Sequence, residues 1–152
     1  MAKYTDVALT DTGLGYYDIS VGSDGDIVKT DSFDTAILLS LFGSDRRATE
    51  TEVPNAYQRR GWIGSVNQPV ELGSKLWLIY QARLTISTLN IAKDYISQAL
   101  QWFVDFGYLK SFSVTVDRDI EAGELSAFIQ LIRLDDSVES RNYVLWSNSG
   151  RG

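Results

Sequence analysis

One hundred and fifty-two residues at 17.0 kDa make about one domain, and a chain of this length buries roughly 68–70% of its unfolded surface, so it needs no disulfide staples. With 44% hydrophobic and 22% charged residues, and 4 Trp, 8 Tyr and 6 Phe, the composition excludes an intrinsically disordered chain; with neither Cys nor His it lacks the usual zinc ligands, a thiol nucleophile and the commonest neutral-pH base. The net charge of −6 resides in residues 1–45, which hold 2 basic and 8 acidic side chains against 12 of each afterwards, a field that repels phosphate and argues against a nucleic-acid partner.

No run free of charged residues exceeds ten, about half of what a membrane span requires. The first fifteen residues contain Asp6 and Asp11 and no apolar leader core, so the expected site of synthesis and assembly is the cytoplasm of the producing cell. Residues 15–30 read as two short β runs around Gly22-Ser23-Asp24-Gly25-Asp26, an N-terminal hairpin. Ser32 offers a helix cap with Asp34 in the first turn, and Ala36, Ile37, Leu38, Leu39, Leu41 and Phe42 make the following helix apolar almost all round until Gly43 stops it.

From Ser44 to Leu72 no helical or alternating period persists, a stretch longer than the roughly 12–15 residues at which structureless loops become uncommon. Its content argues against disorder: Tyr57, Trp62, Ile63 and Val66 stand among Arg46-Arg47 and Arg59-Arg60, a combination that protein interfaces enrich. An arginine following the apolar helix suits a bidentate bond to a partner's carboxylate, while Asp45, Glu50, Glu52 and Glu71 balance the four arginines in number and allow local pairing equally well.

A further helix is expected near Gly73, carrying Leu76, Trp77, Ile79 and Tyr80, with Trp77 expected in the core. Thr85 caps a longer one whose apolar positions, Leu89, Ala92, Ile96, Ala99 or Leu100, Phe103 and Phe106, recur at three and four, and Gly107 closes it in the left-handed conformation. The period then changes to two. Phe112, Val114 and Val116 alternate with polar residues, and a turn at Glu121–Glu124 leads to Leu125–Leu134, a C-terminal hairpin whose return strand is apolar on both faces and is expected to be covered on both. The last run, Tyr143–Trp146, either completes the sheet or pairs with another protein at an open edge, which makes Tyr143 and Leu145 candidate partner-binding residues. The fold class is thus α+β, one domain over residues 1–152: a small mixed or antiparallel sheet with an N-terminal and a C-terminal hairpin and about three helices packed on one face.

Little in the chain points to catalysis. Gly13-Leu14-Gly15 lacks the later glycine and the lysine of a phosphate-binding loop, and a serine triad has no histidine base. The carboxylate pairs Asp24/Asp26, Asp117/Asp119 and Asp135/Asp136 leave a carboxylate-dependent cell-wall glycoside hydrolase as an alternative, although all three lie in expected turns. Neither a cofactor nor a metal site is expected.

Four stretches in order, Asp34–Phe42 with Asp45-Arg46-Arg47-Ala48, Arg59–Gly64, Gly73–Leu78 and Ala99–Trp102, resemble the small baseplate wedge protein of Mu-like contractile-tailed phages, a relative of the sheath-initiating wedge proteins. The resemblance covers about residues 6–134. It implies a non-enzymatic structural subunit of the virion's tail baseplate, present in six copies around the tail axis. It further implies that the subunit docks onto two larger wedge subunits, neighbours the tail tube or hub proteins, and nucleates the tail sheath by strand exchange. Arg46 and Arg47 match family arginines that form salt bridges to the larger wedge subunits; the wider family's Glu-Pro-Arg triplet is absent. On this reading residues 44–72 are a docking loop carrying Asp45, Arg46, Arg47, Arg59, Arg60 and Trp62, and residues 135–152 are a C-terminal strand or tail carrying Tyr143 and Leu145.

Overall fold

The computed structural model describes residues 5–14, 16–65, 67–80 and 82–147. Gly15, Val66 and the last five positions of the expected C-terminal strand or tail lie outside the described residues. The chain begins with β1 (Asp6–Val7), β2 (Leu9–Asp11), β3 (Tyr17–Ile19) and β4 (Lys29–Thr30). The Asp-Gly turn forms as expected, with the Gly22 amide donating to Asp26 (2.8 Å) and Val21 bridging Ile27. One further bond joins the arms, from the Val28 amide to Ser20 (2.9 Å), and beyond it they separate. β3 pairs with β2 and β4 pairs with β1, both antiparallel, so residues 6–11 change partners near Ala8, whose amide donates to Val28 (2.9 Å). The buried Thr35 hydroxyl spans this junction, donating to Val7 O (2.5 Å) and accepting from the Leu9 amide (3.3 Å).

Two α-helices are present among the described residues, one fewer than expected. The first, α1 (Asp34–Leu38), is short and continues as a π-helical turn over Leu39–Gly43, which faces Ser40 and Leu41 inward while Leu39 and Phe42 stay exposed. The expected helix after Gly73 is only a 3₁₀ turn at Leu76–Leu78. Here Gly73 sits at φ 95° against Ser44, so close that a Cβ would lie 2.4 Å from the Ser44 carbonyl oxygen. At this φ Gly73 itself cannot belong to a helix, and the turn that follows ends at Ile79 (φ −107°, ψ 0°).

The long helix α2 (Ile86–Asp105) forms where its signals placed it. Thr85 accepts from the Thr88 amide (3.2 Å) at the start. At the end the amides of Gly107 and Tyr108 donate to Val104 and Phe103 (3.0 and 2.8 Å) with Gly107 at φ 75°, a Schellman motif completed by the Trp102–Tyr108 ring contact. Ala92, Ile96, Ala99, Leu100 and Phe103 are buried, whereas Phe106, at the cap, is exposed.

α2 packs chiefly on β5 of a three-stranded antiparallel meander, β5 (Ser111–Asp119), β6 (Glu124–Ile132) and β7 (Val138–Ser147), in the order β5-β6-β7. Leu125, Ala127, Ile129 and Leu131 of β6 face the helices and are buried. The opposite face, expected to be covered as well, is open: Phe128 is 41% exposed, between Thr115 and Asn142 in the register. β7 is an edge strand with one bulge. Leu125 pairs with Trp146 but Ser126 with Val144, so Leu145 is the extra residue, and it turns inward to the core. The core joins Phe33, Ile37 and Leu41 to α2 and the inner face of the sheet, with Phe103 edge-on to Phe33 at 5.4 Å. No helix of the described residues is long and apolar enough to cross a membrane.

Candidate functional site

Residues 44–72 leave the body at a closed neck. Ser74 donates its amide to Ser44 (3.2 Å) and accepts from the Arg46 amide (2.9 Å), making a short parallel bridge with Asp45. Two 3₁₀ turns, Ala56–Gln58 and Ile63–Ser65, give the loop its only regular structure among the described residues.

All four arginines are engaged within the chain, mostly by carbonyl oxygens. Arg46 donates from Nε to Gly73 (3.2 Å) and from Nη2 to Glu71 O (2.6 Å); burial pushes its guanidinium down, and the Glu71 charge opposes that. Arg47 reaches Arg60 O (3.1 Å) and Ala56 O (3.3 Å), Arg59 reaches Val53 O (2.7 Å) and Pro54 O (2.8 Å), and Glu50 lies 3.6 Å from Arg59. Arg60 pairs with Asp45 at 2.9 Å and lies 4.6 Å over the Trp77 ring, whose Nε1 donates to Arg46 O (2.9 Å). Trp77, expected in the core, is half-buried and holds the start of the loop at Arg46 instead.

These bonds staple the loop, and the large apolar side chains they leave outside include Tyr57 (99% exposed), Ile63 (87%) and Trp62 (48%), with Leu72 at the loop's end. Trp62 lies flat over Gly64, where a Cβ would come within 2.3 Å of the ring, so the glycine makes the seat for the indole. An open cleft of about 670 Å³ runs beside it, lined by Arg47, Arg60, Trp62, Ile63, Gln68 and Glu71.

Sequence reasoning missed the anchor beneath the loop. Lys75, nearly buried, contacts Glu52 (3.0 Å to Oε2), which also accepts from the Thr49 amide (2.8 Å), the Thr49 hydroxyl (3.0 Å) and Tyr95 OH (3.3 Å). Burial pushes the Glu52 carboxyl up, but the Thr49 and Lys75 hydrogen bonds outweigh it and hold the group below its ordinary value. The signal was a lone lysine in the otherwise uncharged run Gly73–Tyr80.

The second surface is the outer edge of β7. Glu139, Arg141 and Tyr143 point to the α1 side, where Arg141 binds Asp34 and Glu139 binds Arg133 (2.5 Å). Burial pushes the Tyr143 phenol up to about 12, with the Asp34 charge adding and Arg141 opposing. Beside Asn142–Leu145 an open groove of about 660 Å³ reaches β2, β3 and the π turn. Tyr143 lines it, with its ring 6.3 Å from that of Phe42, whereas Leu145 is largely buried. The six predicted loop residues thus fall on one surface and Tyr143 on another, whereas Leu145, expected to bind a partner, is turned into the core by the bulge and packs with the protein's own apolar residues.

Two of the three carboxylate pairs serve as turn elements, whereas Asp117 and Asp119, also expected in a turn, lie within β5 and pair with Ser126 and Glu124. Asp24 accepts from the Asp26 amide (3.1 Å), Asp135 accepts from Ser137 (2.9 Å to the amide) and Asp136 pairs with Lys110. The Ile27 amide holds Asp26 below its ordinary value, and Ser137 does the same for Asp135, the opposite of what a general acid needs.

The profile of the phage protein GP46 family matches residues 33–138, which span α1, the stapled loop, α2, β5 and β6. The chain is 34% identical over 121 residues to "Baseplate protein gp46" of Escherichia phage Mu, covering 78% of this chain and 82% of that protein. It is 36% identical over 141 residues to "Mu-like prophage FluMu protein gp46" of Haemophilus influenzae, covering 91% and 95%. The chain therefore belongs to the GP46 family of Mu-like phage baseplate proteins.

Proposed function

We propose that this baseplate protein is a non-enzymatic wedge subunit of the virion's tail, docking onto larger wedge subunits through the 44–72 loop and nucleating the sheath by strand addition at an open sheet edge. The observation that carries the reading is the stapled loop. Its backbone is fixed by its own arginines, yet Tyr57, Trp62 and Ile63 are left in water, and pre-organised aromatics such as Tyr57 and Trp62 are where interface energy concentrates. Six copies around the tail axis, the sheath protein as the strand donor, and tube or hub proteins as neighbours complete the proposal. The edge supports the second half because main-chain pairing fixes register without needing a particular side-chain sequence.

Charge reversal at Arg46 and Arg47 would withdraw donors from the loop's own carbonyls, so the exposed residues make the better test. Tyr57→Asp with Trp62→Asp, co-expressed with the larger wedge subunits, is expected to lose co-purification, since a buried aromatic anchor is worth about 2 kcal/mol or more, roughly thirtyfold in affinity. Undiminished co-purification with a folded variant overturns the docking role. For the edge, Asn142→Lys with Val144→Lys charges two exposed positions and is expected to impair sheath assembly, and normal sheaths on that protein overturn the sheath role.

A further inference from the structure

The sheet has two edges, and they differ. Along β5 the sequence Asp117-Arg118-Asp119 places charges at the end of the edge. β7 divides into halves. Its first half turns Glu139 and Arg141 inward, where an added strand would have to cover them, a device that guards edges. Its second half, Asn142–Leu145, carries no charge and runs beside the 660 Å³ groove. Tyr17, Leu39 and Phe42 wall that groove and are 47%, 54% and 39% exposed, an apolar trough beside a strand edge that pairs with no other strand among the described residues.

One end of the trough is acidic. Asp11 lines it, and Asp18, opposite Thr10 on the ribbon's other face, does not line the trough but adds its charge to the field at that end. Each carboxylate accepts a neighbouring backbone amide, Gly13 and Ile19 respectively (both 2.8 Å), and neither makes an ion pair among the described residues. Lys29, the single cation of residues 5–45, pairs with Asp26, three residues earlier at the end of the hairpin turn (3.5 Å). A second copy of this chain would bring an identical acidic ribbon against the first, and like charges repel.

From these observations we infer that the groove beside Asn142–Leu145 receives an extended segment of another protein chain that is apolar at alternate positions and carries lysine or arginine where it passes the β2–β3 ribbon. The inference rests on the sheet-edge reading above and adds the partner's chemistry and the half of β7 that it uses. Backbone pairing supplies the attachment, alternate apolar side chains fill the trough, and the charge at one end selects orientation.

The test uses the full-length protein and two synthetic strand peptides of alternating Val and Thr, one ending in two lysines and one in two glutamates. Binding is followed by fluorescence titration at low and high salt, and the site by amide hydrogen exchange. The lysine peptide is expected to bind about three- to tenfold more tightly at low salt, to lose that advantage at high salt, and to protect amides within Asn142–Leu145. Asp11→Asn with Asp18→Asn, both at exposed positions, is expected to remove the preference while leaving binding at high salt unchanged. Equal binding of the two peptides at Asn142–Leu145 overturns the basic-partner inference and leaves the edge reading standing. Protection along β5, or no protection by either peptide, overturns the edge reading itself. Concentration-dependent protection without peptide identifies a second copy as the occupant and overturns the inference.

Discussion

Replacing Glu52 by glutamine keeps the side chain's size and an acceptor for the Thr49 amide but withdraws the negative charge from Lys75, whose residue is only 7% exposed. Removing one member of a fully buried ion pair costs about 3–5 kcal/mol. The Glu52 side chain is 26% exposed, so water reaches the remaining ammonium, and the expected loss is smaller, about 1–2 kcal/mol. Lys75→Met on its own is expected to cost a similar amount, because the carboxylate keeps Thr49 and Tyr95 but loses its cation. The double variant is then expected to cost less than the sum by about 1 kcal/mol. Urea unfolding at neutral pH, followed by tryptophan fluorescence, measures all three. Costs that add to within about 0.3 kcal/mol would refute the pairing as an anchor of the loop.

The same pair has a pH signature. Glu52 is held below its ordinary value of 4.5 in the folded chain, so the unfolded chain binds that proton more readily. The stability it contributes is complete above that value and drains away on acidification through the lowered one, and Glu52→Gln is expected to flatten this part of the profile.

Gly73→Ala places a methyl against the Ser44 carbonyl in a left-handed backbone and is expected to destabilise by about 1–3 kcal/mol in the same urea assay, opening the neck of the loop. Tyr143 titrates near 12 in the folded chain, so its contribution is complete below the ordinary phenol value of 10.0 and lost as pH rises through 12; absorbance titration of Tyr143→Phe is expected to lack the last phenol transition. Phe103→Ala removes a ring with no exposed surface, stacked on Trp102 at 3.9 Å, and is expected to cost about 3–5 kcal/mol by thermal or urea unfolding.

What the sequence revealed of this fold depended on how local each signal was. Thr85, the three-and-four spacing and Gly107 all lie within α2 itself, so the helix was legible from cap to cap. The β5–β6 hairpin was legible for the same reason, through its alternation and its turn. By contrast, the run Ala36–Phe42 reads as one apolar helix, yet Leu39 and Phe42 face a groove whose opposite wall comes from residues 9–17 and 142–145, far away in the chain. The N-terminal arms change partners because of residues 6–11, whose short mixed sequence has no alternation to announce it.

The candidate site was half legible. Composition marked residues 44–72 as an interface segment, and its aromatics do stand in water. The acceptors that hold the arginines are main-chain carbonyls, which every residue carries and no side-chain pattern reports. The return strand was expected to be covered on both faces because Phe128 and Ile132 are apolar; periodicity reports hydrophobicity, not whether a neighbour is there to cover it.

The hydroxyl of Thr35 has a consequence for mechanics. It is the hydrogen-bonded rivet between the acidic ribbons and the helical body, gripping the strand run at the point where that run changes sides. One wall of the β7 groove hangs from this rivet while the other is fixed to the core. A valine at position 35, equal in bulk but without the oxygen, would remove both bonds at the point where the strand run changes sides and leave the apolar packing of α2 and the sheet in place, so its effect is expected to be felt first at the groove.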